Sequence, residues 1–295
     1  MCYNTVVVFM EADIKSFLAY LENEKKYSLN TLSAYKSDLE QLVAFSKSSN
    51  TLVNIDTSKS FSNELLAQYL HNLKEKKYSQ ATLARKVAAA KTFLKYLIDI
   101  GKLSSESAPK LASPQVNKPL PKPLSVSDVR RFLARPSKLD SADGIRDKTM
   151  LELLYATGLR ASELMALNVV DVDIKNTQIR CRGGKVGQRI IPLDGLIVSM
   201  LIKYLNEARP KLVNTDTEEA LFLNCRGERL TRQGFWQIIQ GYADDAGLSG
   251  KVTPRSLRHS FAAHKLNSGV DLQSVQELLG HTHISTTKVY QELRP

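Results

Sequence analysis

Through the first hundred residues, apolar side chains return every three or four positions, the spacing that keeps them on one face of a helix. Ile14, Phe17, Leu18 and Leu21 mark a first helix. Asn30 reads as the N-cap of a second, which carries Leu32, Tyr35, Leu39, Leu42 and Phe45. A third is expected from about Ser62 to Lys76 with Leu65, Leu66, Tyr69 and Leu73 inward. A fourth runs from Ser79 to about Ile100, with Leu83, Val87, Ala90, Phe93, Leu94 and Leu97 on one side. Short connections between such helices imply a compact all-α bundle over residues 10–102.

The pattern breaks at residues 103–124, which hold five of the ten prolines and three lysines. Proline fixes φ and removes a backbone donor, so an extended linker is expected here, separating residues 125–295 as a second domain. There Ser125-Val126-Ser127-Asp128 opens a helix, and Asp147 to Thr157 reads as a buried one through Met150, Leu151, Leu153 and Leu154. Gly158 should end that helix with a left-handed cap, so that Arg160 emerges on a turn before a new helix through Leu167. Thr177 to Leu193 has strand character on both sides of a Gly-Gly-Lys-Val-Gly turn, and the chain is mainly helical from Leu196. The second domain is thus mixed α+β.

Composition narrows the partners. In 295 residues, 41 Lys and Arg oppose 30 Asp and Glu, a net charge of +11 that favours a polyanion such as nucleic acid. The fourth helix carries Arg85, Lys86, Lys91 and Lys95 against Asp99, which suits either a phosphate-facing side or a plain solvated face. Cys2, Cys181 and Cys225 show neither CxxC spacing nor an even disulfide framework, so a reducing cytoplasm is expected and metal binding is not. The apolar run Val6 to Met10 is too short to span a bilayer and has no basic segment before it, so no membrane association is expected. Residues 1–9 read as an extension ahead of a start at Met10.

Two arginine-centred motifs then stand out: Thr157-Gly158-Leu159-Arg160-Ala161-Ser162-Glu163-Leu164 and Pro254-Arg255-Ser256-Leu257-Arg258-His259. Leu279-Gly280-His281 follows, its histidine nine residues before Tyr290. A phosphodiester resists attack because its nonbridging oxygens repel a nucleophile; two guanidiniums, each a planar fork of donors, answer that difficulty. Arg160 and Arg258 fit this clamp. Glu163 is placed to hold a guanidinium or a backbone donor through an i,i+3 contact. His259 reads as a packing or hydrogen-bonding residue outside the catalytic set, and His283 as exposed.

Together these motifs resemble the catalytic set of the tyrosine recombinases, most closely the Xer-type and phage-integrase-like members, and the resemblance covers nearly the whole chain. It implies a SAM-like core-binding bundle and a catalytic domain that close around a duplex. It makes Tyr290 the nucleophile of a 3′-phosphotyrosine intermediate that needs no cofactor. It also has His281 hydrogen-bond a nonbridging oxygen and help move the tyrosine proton. Two positions depart from the family pattern. Arg255 stands where a histidine is common and cannot act as a base, although it can still neutralise the phosphate; proton removal then falls to water or His281. The family's lysine register falls on Gly184, with Lys185 one place later as the candidate acid for the leaving 5′ oxygen. The implied activity is site-specific recombination of double-stranded DNA, in chromosome-dimer resolution or mobile-element integration and excision. The alternative is a catalytically weakened, recombinase-derived DNA-binding protein. A type IB topoisomerase is disfavoured by the N-terminal bundle and the Gly-Leu-Arg-x-Ser-Glu-Leu pattern. With only Gln291 to Pro295 after the nucleophile, the expected assembly is a monomer when free and a homotetramer on DNA.

Overall fold

The computed structural model describes residues 2–48, 63–104, 122–136, 141–182, 187–215 and 218–291. The chain divides into two compact units, residues 1–118 and 119–295. Among the described residues the first contains helices α1 (Cys2–Asn23), α2 (Leu29–Ser48), α3 (Asn63–Glu75) and α4 (Gln80–Asp99). Their apolar stripes meet in one core, where Phe17, Leu21, Leu39, Leu42, Leu73 and Phe93 are each buried and the Phe17 and Phe93 rings lie 5.2 Å apart. Each such side chain contributes roughly 1.5–3 kcal/mol by leaving water.

Two expectations change in this unit. Asn30 is not the cap of α2: the Ser28 hydroxyl accepts the Thr31 amide at 3.3 Å, which leaves Asn30 inside the first turn. Serine at that point satisfies one of the helix's unpaired amides as well as asparagine would. Lys86 does not belong to a basic outer face. Its ammonium is buried and donates to Asp38 at 2.9 Å and to Gln41 at 2.7 Å, while Arg85 also pairs with Asp38. A carboxylate brought into a core must keep cationic partners, and Asp38 draws two of them inward. Lys95 remains exposed.

In the stretch expected to link the domains, residues 105–121 lie outside the described residues. Its ends are anchored. Leu103 packs in the first core, while Leu124 packs in the second and donates its amide to Ser260 Oγ at 2.8 Å.

The second unit is built around α6 (Ala142–Thr157), whose Met150, Leu151, Leu153 and Leu154 are fully buried. This helix begins at Ala142 rather than Asp147, capped by Ser141 on the Gly144 amide at 3.0 Å. The early turns are hard to recognise as buried because Arg146 and Asp147 lie within them, satisfied by each other and by the Leu223 carbonyl. Around α6 lie α5 (Val126–Leu133), α7 (Ala161–Ala166), α8 (Gly195–Lys203), a π-helical turn at Tyr204–Ala208, α9 (Arg209–Leu212), α10 (Arg232–Asp245), α11 (Pro254–Asn267), α12 (Leu272–Leu279) and α13 (Ile284–Lys288).

An antiparallel sheet runs in the order β1 (Val172–Asp173), β2 (Gln178–Cys181), β3 (Arg189–Pro192). Its register pairs Ile179 with Ile191 and Cys181 with Arg189. Side chains alternate faces along a strand, so Arg189 shares the buried face with Ile191 and Cys181. This register points its guanidinium into the protein. Among the described residues no helix is long and apolar enough to cross a membrane, and no cluster of His, Cys, Asp or Glu is arranged to hold a metal ion.

Candidate active site

Helix α6 stops at Gly158, which has φ of 61° and therefore lies in the left-handed region. A Cβ there would sit 2.3 Å from the Phe261 ring, so a glycine is also what lets the end of α6 press against α11. Two residues on, Arg160 precedes α7 and its side chain is partly open to solvent.

Glu163, buried on α7, gathers the arginines. Its Oε1 accepts from Arg160 Nη1 at 2.7 Å and Arg189 Nη1 at 3.0 Å; its Oε2 accepts from the Arg160 backbone amide and from Arg189 Nη2, both at 2.8 Å. Burial alone would raise its pKa, but the Arg189 hydrogen bonds, followed by those of Arg160, bring it down to about 2. The i,i+3 contact expected from the motif is thus present. It is joined by a second arginine from β3 that the motif did not reveal.

The C-terminus of α12 forms the opposite wall. Gly280 ends the helix with φ of 62°, and its last carbonyls each take a different arginine: Leu278 accepts Arg189 Nε at 3.0 Å, Leu279 accepts Arg258 Nη2 at 2.6 Å, and Gly280 accepts Arg160 Nη2 at 3.2 Å. Carbonyls at a helix end have no intrahelical partner and carry the negative pole of its dipole. Three cations are therefore held at one place without three carboxylates to neutralise them.

Arg258, buried on α11, also donates to the Gly158 carbonyl at 2.5 Å and to His281 Nε2 at 3.1 Å. Burial, then the Arg160 charge, lowers its pKa to about 10, so it stays protonated at neutral pH. These contacts engage three of its five N–H groups, and donors remain for an oxyanion.

His281 follows Gly280. With Nε2 accepting from Arg258, its proton resides on Nδ1, which donates to Thr287 Oγ1 at 2.9 Å. Burial and the neighbouring arginines, Arg258 first, depress its pKa to about 4 and keep it neutral. His283 is exposed at the cap of α13.

Tyr290 lies just past α13, buried, with its hydroxyl 2.5 Å from Nδ1 of His259 and the two rings 5.4 Å apart. Burial raises the phenol's pKa, and the charges of Arg258, Arg255 and Arg160 oppose that rise. Arg255, one helical turn before His259, donates its Nε–H to His259 Nε2 at 3.0 Å. Arg160, Arg258 and His281 are thus joined at the end of α12, while Arg255 reaches Tyr290 through His259. Lys185 and Gly184 lie outside the described residues, between β2 and β3 in sequence.

Sequence reasoning missed Arg189, and it read His259 as a packing or hydrogen-bonding residue without finding its partners. Arg189 was legible from strand parity, because it alternates with the apolar Ile191 on the inward face. His259 was legible from its i,i+4 spacing to Arg255, but a histidine beside a buried arginine carries no signal of what it touches across the fold.

Comparison with known proteins agrees along the chain. Residues 122–295 match the Phage integrase family, and residues 14–101 match the Phage integrase, N-terminal SAM-like domain. Tyrosine recombinase XerC of Herpetosiphon aurantiacus is 47% identical over 281 residues, covering 95% of this chain and 90% of the relative. Tyrosine recombinase XerD of Listeria innocua is 42% identical over 278 residues, covering 94% and 92%. The XerH site-specific recombinase, solved bound to difH substrate as a pre-cleavage complex, shares the fold with a TM-score of 0.77 at 19% identity, covering 98% of this chain and 94% of that one. With its bundle, its mixed catalytic domain and its arginine-lined tyrosine, the chain belongs to the phage integrase family of tyrosine recombinases.

Proposed function

We propose that this protein is a site-specific DNA recombinase that cuts and rejoins duplex DNA through a 3′-phosphotyrosine at Tyr290. The observation that carries the reading is convergence: Arg160, from the start of α7, meets Arg258, His281 and Tyr290, from three successive C-terminal elements, at one site whose positive charge exceeds that of the buried Glu163 carboxylate. Likeness to XerC, XerD and the DNA-bound XerH supports duplex DNA as the substrate.

In this reading the scissile phosphate lies against the free donors of Arg160 and Arg258, which oppose the charge that grows on its nonbridging oxygens in the transition state. Once the incoming oxyanion displaces His281 from Arg258, the imidazole takes its other tautomer: Nδ1 accepts from the Thr287 hydroxyl and Nε2–H donates to the same oxygens. The Tyr290 oxygen attacks phosphorus as its phenolic proton leaves to water, the bond to the 5′ oxygen breaks with its electron pair on that oxygen, and Lys185 supplies the proton that the 5′ oxygen takes up. Attack by a 5′ hydroxyl of a partner duplex reverses the step, so bond energy is conserved and no nucleotide cofactor enters. The residues 10–102 bundle and the residues 125–295 catalytic domain, joined by residues 103–124, each bind the duplex. Four copies assemble on two duplexes from free monomers, in the cytoplasm.

The test uses duplexes selected by the protein from a randomised pool and nicked beside the scissile phosphate, which trap a cleaving enzyme on DNA. The wild type becomes covalently attached, and Tyr290→Phe binds equally but forms no adduct. An adduct retained in Tyr290→Phe would remove the nucleophile assignment. Tight binding by the wild type with no adduct would instead identify a DNA-binding protein that has lost cleavage.

A further inference from the structure

The motif's departure at Arg255 has a structural partner in the adjacent His259. The Arg255 Nε–H points at His259 Nε2 at 3.0 Å, and arginine has no acceptor, so Nε2 must carry the lone pair. In a neutral imidazole the proton then resides on Nδ1, the atom that lies 2.5 Å from the Tyr290 hydroxyl. The hydrogen bond therefore runs from histidine to tyrosine. We infer that His259, fixed by Arg255 as the Nδ1–H tautomer, is a catalytic hydrogen-bond donor to the phenolic oxygen of Tyr290 and not its base. The inference rests on Tyr290 being the nucleophile.

The charged groups around the ring agree. Arg255 and Arg258 face it from α11 and Tyr290 faces it from beyond α13; burial first, then the two arginines, hold the His259 pKa at about 4. Accepting a proton from tyrosine would create an imidazolium between two guanidiniums in a half-buried site. Donating costs no such charge, and a donor aimed at the phenolic oxygen favours its ionised form. In the cleavage step the Tyr290 O–H proton leaves to water, one oxygen pair forms the bond to phosphorus, and the other accepts from His259. The P–O5′ bond breaks with its pair on O5′, which takes up a proton, so protons and electrons balance. Arg255 acts through His259 and is a positioning residue.

The experiment measures single-turnover adduct formation on the nicked duplex against pH, with DNA binding by each variant as the check on folding. His259→Leu removes the donor and should slow adduct formation about 100-fold, the effect of losing one oxyanion donor. It should also move the rising limb of the profile to higher pH. His259→Asn places an amide N–H at the Nδ1 position, which can donate but cannot act as a base, and should stay within about tenfold of wild type. Arg255→Ala should slow the wild type but add little in the Asn background, where no tautomer remains to be set. Asn as slow as Leu would make His259 the base and overturn the inference. So would an equal loss from Arg255→Ala in both backgrounds, which would place Arg255 on the phosphate directly. An adduct persisting in Tyr290→Phe would instead defeat the nucleophile assignment, a result separable from every outcome of the His259 series.

Discussion

Glu163 counters Arg160 and Arg189 directly and lies near Arg258, so its charge decides how the clamp is held. Its pKa falls from the usual 4.5 to about 2 in the folded protein, so the unfolded chain binds more protons between these values. The stabilisation is therefore complete above about pH 4.5 and is lost as pH falls through about 2. Glu163→Gln should destabilise the catalytic unit by about 3–5 kcal/mol at neutral pH, the cost of stranding buried charge. Denaturant unfolding should show that deficit shrinking as the solution is acidified toward pH 2.5, and an unchanged deficit would mean the carboxylate's charge is irrelevant. Lys185→Ala should lose cleavage and regain it on a substrate with sulfur at the 5′ bridging position, because a thiolate leaves without protonation. No rescue would reduce Lys185 to a binding residue. Arg160, Arg258, His281 and Tyr290 were legible because their neighbours in sequence spell a motif. The inward face of Arg189 and the i,i+4 spacing of His259 could be read as well, but their partners could not, because Glu163 and Tyr290 arrive from other elements. The local string around Arg255 shows only that a base is missing, and its effect on the imidazole tautomer needs the helix to be seen.

Among elements, the junction of α6 with α11 carries the most consequence for the site. Gly158→Ala would place a Cβ at 2.3 Å from Phe261 in a left-handed conformation. Strain of about 1–2 kcal/mol for the backbone adds to overpacking of about 1–3 kcal/mol. The variant should melt lower, and because the Gly158 carbonyl holds Arg258, it should also lose adduct formation under conditions where it remains folded. In α4, lysines of similar sequence context differ in role. Lys86→Met should cost about 3–5 kcal/mol in unfolding free energy by leaving Asp38 underpaired. Lys95→Ala should leave stability within about 0.5 kcal/mol while reducing the salt dependence of DNA binding by about one counterion. Equal behaviour of the two would contradict the burial of Lys86. Helical periodicity revealed the bundle, and glycine chemistry revealed the ends of α6 and α12. The misplaced starts of α2 and α6 differ in origin: Ser28 and Asn30 both suit a cap and the fold selects Ser28, whereas the first turns of α6 are disguised by the buried Arg146 and Asp147. Strand β1 escaped notice because two residues cannot display an alternation.

For the whole molecule, the net charge of +11 predicts binding governed by counterion release. If some six phosphates are engaged, affinity should fall on the order of 10³-fold between about 50 and 200 mM salt, and a flat titration would remove DNA as the principal partner. The two-domain plan was readable from the proline-rich break, since no helical period survives five prolines between residues 103 and 124. What the period could not display is that Leu103 and Leu124, at its margins, are themselves core residues. Attack by the phenolic oxygen of Tyr290 is tested most sharply by mass spectrometry of proteolysed wild-type protein trapped on a nicked duplex. Trypsin cuts after Lys288, so the nucleotide adduct is expected on the peptide Val289 to Pro295, joined through Tyr290 by a 3′-phosphate. An adduct on a peptide containing any other tyrosine, or on a serine, would contradict it.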